Sequence, residues 1–560
     1  MIAFTGAELR NFLSKRSAEQ LKKRFLYPVV QTYLEHDEEP KILCLYGLRR
    51  TGKTIMMAQA IIDINDYDNC IYLFCEKGDT MRDVHSYLRN APQKYVFIDE
   101  ATRISNFINT SSVLSDIYAF SGKRVVVAGT ESLGFMIAKN DQLYNRMTLL
   151  HTTFIPYKEF HYLLGKSLDE YIMYGGMLSL EGDIYNQEVY SGQEKRKSNE
   201  PYEEYLDGAI VHNVMHTLEH WDSGEHFGVL KRLYDEGDLE SAIYKVIDRD
   251  NREFLASIIN SEFSGSMVGS LMDLIDRHNL SDALPIEKEA VKEEDRIRLR
   301  IRQPLRNYIT EPEVNQIIHF LMKVDLMINA SEEGNYIFLQ PGLRYYQEKV
   351  LIDVLVSTEA FRSLPIDQRQ LIIAKLDQDV KGRLLEDIIY TQLHIQYQNT
   401  DYSVSKYEHP SGGEIDIIVS DKKTRHSIAI EVKHSSKMAE RQIRHLLNPE
   451  ICAGAENVTG TSIVSKVVIY SGQPGIYEGV RYLNAEDFLL NSDESLQYLF
   501  SEIDASSGLN ASSSNRPAEE YYSSREDIRA TIERFKKEGS GTERLSREIV
   551  NEAESEEIEE

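Results

Sequence analysis

Residues 41–54 read Lys-Ile-Leu-Cys-Leu-Tyr-Gly-Leu-Arg-Arg-Thr-Gly-Lys-Thr, an apolar run that passes straight into a glycine-rich turn. The run is short and bounded by a glycine, which reads as a buried strand. Gly47, Gly52, Lys53 and Thr54 then complete the pattern G-x-x-x-x-G-K-T. In such a loop the glycines let backbone N–H groups close round phosphates, the lysine reaches the β and γ groups, and the threonine hydroxyl ligates Mg²⁺. Leu48, Arg49, Arg50 and Thr51, between the glycines, belong to the same nucleotide-binding set. A helix opening at Gly52 would aim its positive dipole end at the same anion. ATP and Mg²⁺ are therefore the expected ligands.

Outward from this stretch, short apolar strands alternate with amphipathic helices: NCIYLFCE, KYVFIDE, KRVVVAG and MTLLHTTF follow in order. That alternation predicts an α/β fold with a parallel sheet over 37–163. The strand Tyr95-Val96-Phe97-Ile98 ends in Asp99 and Glu100. Asp99 is expected to hold Mg²⁺ through water, and Glu100 to orient or deprotonate the attacking water. Thr130, ending VVVAGT, stands where ATPases of the AAA type place a γ-phosphate sensor, and a plain turn hydroxyl is the competing reading. Arg49, Arg50, Arg103 and Arg146 are candidates for contacting phosphate or a neighbour's nucleotide, and Arg146 is preferred.

Residues 1–36 are expected to form a helical lead, and 164–360 a mainly α region. There Thr310-Glu311-Pro312-Glu313 opens a helix with a capping box, and the following loop SEEGN and strand YIFLQPG give the order of a winged helix. Arg296, Arg298, Arg300 and Arg302 alternate with apolar residues and would form one cationic face on a strand, although the preceding KEEDR can neutralise it.

A second α/β region, 361–491, runs helix, hairpin, helix, strand through VKGRLLEDIIYTQLHIQY, EIDIIVS, HSIAIEVKH and KVVIYSG. Glu386, Asp416, Glu431 and Lys433 form an E…D…E-x-K set. Strand alternation puts Glu431 and Lys433 on one face, where Asp416 and Glu431 can hold a divalent metal while Lys433 positions water. The competing reading is a salt-bridged strand pair. Residues 492–560, rich in Ser, Asn and Glu and ending NEAESEEIEE, read as an acidic flexible tail.

Bulk properties narrow the choices. The 560 residues exceed one core, so three or four domains are expected. Four cysteines without a CxxC pair support neither a disulfide framework nor a zinc site. No apolar run approaches the roughly 18 residues of a membrane helix, and the opening MIAFTGAELR lacks a signal-peptide core. A cytoplasmic protein is expected. The net charge of −27 argues against coating nucleic acid by electrostatics alone, so any DNA contact must be local.

The motif order resembles prokaryotic AAA-type (archaeal-type) ATP-binding proteins in which the ATPase domain precedes a winged-helix region and a PD-(D/E)xK nuclease-like domain. The resemblance spans roughly residues 15–490 and rests on GLRRTGKT, FIDE, AGTESL, LYNRMTLLHTTFIPYKEF, YIMYGGM, YIFLQPGLRYY, GRLLED, GGEIDIIV and IAIEVK. It implies nucleotide and Mg²⁺ binding by Gly47, Gly52, Lys53, Thr54 and Asp99, catalysis by Glu100, a recurrent arginine at Arg146, and a nuclease-like set at Glu386, Asp416, Glu431 and Lys433. Thr130-Glu131-Ser132, Met177 and Gln340 depart from the pattern. The leading expectation is an ATP-hydrolysing switch or motor, homo-oligomeric in the AAA manner, coupled to a metal-dependent nuclease-like domain acting on DNA. The alternatives are a nucleotide-dependent regulator whose nuclease-like domain only binds DNA or protein, and a signalling ATPase with no DNA affinity.

Overall fold

The computed structural model describes residues 1–178, Val246, the strands at 286–291 and 296–301, and residues 310–500, each long stretch apart from short interruptions. The first sheet contains β1 (Ile2–Thr5), β2 (Ile42–Tyr46), β3 (Cys70–Phe74), β4 (Tyr95–Asp99), β5 (Arg124–Gly129) and β6 (Met147–His151), in the order β1-β3-β4-β5-β2-β6. All pairs are parallel except β1 with β3. Helices cover both faces, which is why residues 42–45 and 125–129 are apolar and buried instead of alternating. Because β5 lies between β2 and β4, the turn after β2, the carboxylates ending β4 and Thr130 after β5 share one edge of the sheet.

The expected helical lead needs correcting. Helices Gly6–Ser14 and Tyr27–Glu35 are present, but they follow strand β1, whose Ile2 to Thr5 pair with Phe74 to Ile71. An edge strand of four residues is defined by its distant partner and leaves almost no local pattern.

In its described part the middle region also holds strands. β7 (Ile286–Val291) and β8 (Arg296–Ile301) pair antiparallel, with Glu287 opposite Arg300 and Glu289 opposite Arg298. Arg296, Arg298 and Arg300 are thus on a strand, and the register places the last two opposite glutamates and Arg296 opposite Val291. Arg302 and the loop SEEGN lie outside the described residues. Helix Glu311–Lys323 precedes a small hairpin of β9 (Met327–Asn329) and β10 (Tyr336–Phe338). At its start the Thr310 N–H donates to Glu313 Oε2 at 2.5 Å, one half of the expected capping box.

The second sheet runs β11 (Tyr402–Glu408), β12 (Glu414–Asp421), β13 (His426–Lys433), β14 (Ser462–Tyr470), β16 (Val480–Asn484), β15 (Gly475–Tyr477). β11, β12 and β13 are antiparallel, while β13-β14 and β14-β16 are parallel. A 31-residue helix, Ile366–Gln396, lies against it and buries Leu376, Val380, Leu384, Leu385, Ile388, Ile389 and Leu393 at helical spacing. This core also takes in Ile155, Tyr157, Phe160, Tyr171 and Ile172, from helices Tyr157–Leu164 and Leu168–Tyr174 and the turn before them. The chain leaving the first sheet is therefore built into the second unit, before the boundary at 163. Leu496 and Leu499 are buried in the same core, so packed chain continues past 491 into the segment expected to be flexible.

Candidate functional site

Two backbone positions explain the glycines of the phosphate loop. Gly47 has φ +133°, and a Cβ there would meet the hydroxyls of Thr153 and Thr152 at 2.6 and 2.8 Å. Gly52, at φ +88°, opens helix Lys53–Ile64 against Leu178 and the aliphatic stem of Arg24. Between them Arg50 also adopts positive φ. The residues expected to bind nucleotide divide into two kinds. Leu48 and Thr51 are buried and serve the scaffold: the Leu48 N–H donates to Thr153 Oγ1 at 3.0 Å, and the Thr51 hydroxyl bonds the Leu48 carbonyl at 2.9 Å and Thr152 Oγ1 at 2.8 Å. The Lys53 ammonium is turned onto the loop, donating to the carbonyls of Gly47 at 2.7 Å and Leu48 at 2.6 Å. Burial depresses its pKa to about 8, against the opposing pull of Glu100 and Asp99.

Thr54 Oγ1 donates to Asp99 Oδ2 at 2.8 Å, and the Tyr72 hydroxyl donates to the same oxygen at 2.6 Å. The Glu100 N–H bonds Asp99 Oδ1, and the Glu100 carboxylate faces Arg103 Nε at 3.5 Å from a left-handed backbone, φ +55°. Thr54 and Asp99 thus offer one hard oxygen pair beside Lys53, the donor chemistry a Mg²⁺–nucleotide needs. Thr130 is buried at the same sheet edge. Arg146 is not in this group. It precedes β6, at the opposite end of the strands, five residues or about 16 Å from the loop at the rise of a strand. Its guanidinium is half-exposed and paired with Asp116 at 2.9 Å. Of the two expected roles for Arg146, contact with this chain's own phosphate loop is therefore not the one its position serves.

Three residues of this site carry no sequence signal. Tyr72 is one more apolar position of β3. Arg24 sits in LKKRFLYP among other basic residues, and Glu159 in a helix, yet the two form a buried pair at 2.9 Å behind the loop.

The second constellation comes together on β12, β13 and the long helix. Asp416 Oδ2 accepts from the Val432 N–H at 2.7 Å and from Lys433 Nζ at 3.0 Å, and Lys433 Nζ lies 2.7 Å from Glu431 Oε2. Burial, with Asp416 beside it, drives the Glu431 carboxyl well above its ordinary range, and its Oε1 has no hydrogen-bond partner; His445 Nδ1 stands 3.8 Å off. Glu386 is held differently. Burial would raise it, but Lys406 at 2.6 Å and Arg383 at 3.1 Å prevail and hold it at about 2. Burial lifts neighbouring Asp387 to about 6. Lys406 and Arg383 were absent from the expected set. Among the described residues no group of three or more His, Cys, Asp or Glu is arranged to hold a metal, so Asp416 and Glu431 stand as a pair.

Residues 39–161 match the family model described as an AAA domain. This part of the chain is a nucleotide-binding domain of the AAA type. Residues 381–478 match a model described as a domain of unknown function, DUF4143. No curated protein matches the chain. Solved structures similar to it include the ORC2 protein of Aeropyrum pernix in ADPNP and ADP complexes, 11% identical over 61% of this chain and 93% of that one, TM-score 0.28. AMPPCP-bound DnaA from Aquifex aeolicus is 11% identical over 65% and 97%, TM-score 0.22. The S. cerevisiae Hsp104–ADP complex is 12% identical over 71% and 61%, TM-score 0.26. The AAA assignment rests on the family match and the geometry of the loop. Among the described residues no helix is long and apolar enough to cross a membrane.

Proposed function

We propose that the AAA domain binds and hydrolyses ATP with Mg²⁺ and that its nucleotide state governs a metal-dependent nuclease-like unit acting on DNA. At the first site Lys53 would counter the β and γ phosphates, Thr54 and Asp99 would hold Mg²⁺, and Glu100 would orient the attacking water. Magnesium there supplies charge neutralisation of the phosphates. Arg146, on the far edge of the sheet, acts only across a subunit boundary, which fits a homo-oligomer.

One observation carries the nuclease-like half: Lys433 bridges Asp416 and Glu431 while Glu431 Oε1 is buried without a hydrogen bond. A buried carboxylate oxygen left so is costly unless a proton or a cation meets it. With Glu431 ionised, as a bound cation would make it, the cluster of Glu386, Asp387, Glu414, Asp416 and Glu431 against Arg383, Lys406 and Lys433 is short of positive charge by two, the charge of one divalent ion. Asp416 and Glu431 would hold that ion, with Lys433 beside it. The helix–hairpin of residues 311–338 supports a winged helix as the DNA-facing element.

A second reading is favoured by the grip of Lys406 and Arg383 on Glu386 and by the net charge of −27. In it the unit recognises DNA or protein without cleaving, and the chain is a nucleotide-dependent regulator. Incubation with plasmid and linear DNA, with and without ATP, in Mg²⁺ or Mn²⁺, reading cleavage and phosphate release together, separates the two. Phosphate release without cleavage in any condition favours the regulator.

A further inference from the structure

The Arg24 guanidinium spends all five of its N–H donors. Nε and Nη2 meet the two oxygens of Glu159, each at 2.9 Å; Nη1 meets the carbonyls of Thr51 at 2.8 Å and Thr152 at 2.7 Å; Nη2 also meets the Phe154 carbonyl at 3.2 Å. Glu159 takes a further bond from the Phe25 N–H at 2.7 Å. A buried ion pair of this kind is seldom the most stable choice for its volume, and what it supplies is geometry.

That geometry bears on the phosphate loop. In a planar trans peptide the C=O and the following N–H point in opposite directions, and the described chain has no cis bond. Arg24 holds the Thr51 carbonyl from behind the loop, so the Gly52 N–H is turned to its other side. One residue earlier the Leu178 N–H holds the Arg50 carbonyl at 2.9 Å, which turns the Thr51 N–H in the same way. Two successive amides are thus aimed into the phosphate cradle by contacts outside it, the arrangement of an anion-binding nest.

Both contacts are anchored in the second unit. Glu159 is on helix Tyr157–Leu164, whose Tyr157 and Phe160 are buried in the core of the second sheet and whose Tyr157 hydroxyl bonds Glu486 of helix Ala485–Leu490. Leu178 packs against that core and follows Gly176, whose carbonyl accepts from Gln340 Nε2 at 2.8 Å. A Cβ at Gly176 would lie 2.5 Å from Gln340, which explains the glycine opposite that departure from the family pattern.

We propose that Arg24, clamped by Glu159, is a positioning residue of the nucleotide site and couples the set of the phosphate loop to the packing of the C-terminal α/β unit. This stands whether or not that unit cleaves DNA. The test uses the full chain. Arg24→Lys keeps the charge beside Glu159 but has three donors and no fork; Glu159→Gln keeps shape and removes the clamp. Folding is checked by unfolding midpoint without nucleotide, ATP affinity is measured on the folded protein, and hydrogen exchange is followed at 157–164 and 485–490 with and without ATP. The expected result is a loss of affinity of about tenfold in both variants, within the usual range of coupling between sites, together with loss of the ATP-dependent protection seen in wild type at 485–490. If Glu159→Gln does not fold, Arg24→Lys decides. A lower unfolding midpoint with ATP affinity within twofold of wild type would show a merely structural pair and overturn the proposal. Weakened affinity with protection at 485–490 unchanged, or no such protection in wild type, overturns the coupling.

Discussion

The Thr54 hydroxyl donates to Asp99 Oδ2 across 2.8 Å, joining the start of helix Lys53–Ile64 to the end of β4 although β5 lies between the strands that lead to them. Tyr72 donates to the same oxygen from β3, so the carboxylate is fixed from two sides before any ion arrives. The arrangement makes both residues part of one site and gives the nucleotide reading definite consequences.

Lys53→Ala is expected to remove tight ATP binding, since its ammonium lies on the phosphate loop, bonded to the carbonyls of Gly47 and Leu48, and is the loop's counter-charge to the β and γ phosphates. Binding should also depend on pH. With a folded-state pKa of about 8, below its ordinary 10.5, Lys53 sheds its proton as pH rises past 8, and nucleotide-free stability gains between 8 and 10.5, where the unfolded chain holds the extra proton. Bound phosphate favours the ammonium. Titration calorimetry in buffers of different ionisation enthalpy should therefore show proton uptake on ATP binding near pH 8–9 and weaker affinity above it; no uptake would separate Lys53 from the phosphates.

Glu100→Gln should keep ATP affinity and lower turnover by about 10²–10⁴-fold, the usual worth of a positioned general base. Single-turnover phosphate release measures this. Full turnover would move the base elsewhere.

Arg146→Ala should leave ATP affinity unchanged, because the side chain is paired with Asp116 at the far edge of the sheet. If it completes a neighbour's site, wild-type hydrolysis per chain rises with protein concentration and that rise disappears in the variant. Concentration-independent turnover in wild type would exclude the role in trans.

Without divalent metal, the raised pKa of Glu431 means the folded chain keeps a proton that the unfolded chain loses. Stability is full below the ordinary glutamate value of 4.5 and falls as pH rises towards the folded value. Glu431→Gln should flatten that decline and stabilise the metal-free protein at neutral pH by about 1–3 kcal/mol, the cost of a buried polar group left unmet. Urea unfolding across pH, with and without Mg²⁺, reads both effects. Wild type and variant with the same pH slope would show that Glu431 is not the strained group.

The parallel sheet and the phosphate loop could be read from residues 41–130 because buried parallel strands are apolar without interruption and the glycine spacing is dictated by phosphate. Asp416, Glu431 and Lys433 could be read because strand alternation fixes which side chains share a face. What stayed hidden depends on partners far along the chain. β1 is visible only through β3, Arg24 only through Glu159 some 135 residues away, and Lys406 only once β11 brings it against Glu386. Arg146 is the converse case: its neighbourhood in sequence is that of a functional arginine, but it precedes β6, where the parallel strands begin, and the phosphate loop follows β2, where they end.

The most direct measurement for the central claim is a nicking assay on wild type and Lys433→Ala in Mg²⁺ and Mn²⁺, with ATP, a non-hydrolysable analogue, ADP and no nucleotide, scoring DNA cleavage and phosphate release in the same tubes. The account predicts metal-dependent cleavage by wild type that changes with nucleotide state, and a variant that releases phosphate at the wild-type rate, retains DNA affinity and does not cleave. Phosphate release by both proteins with no cleavage by wild type in any condition, and no divalent ion bound at Asp416 and Glu431, would contradict it.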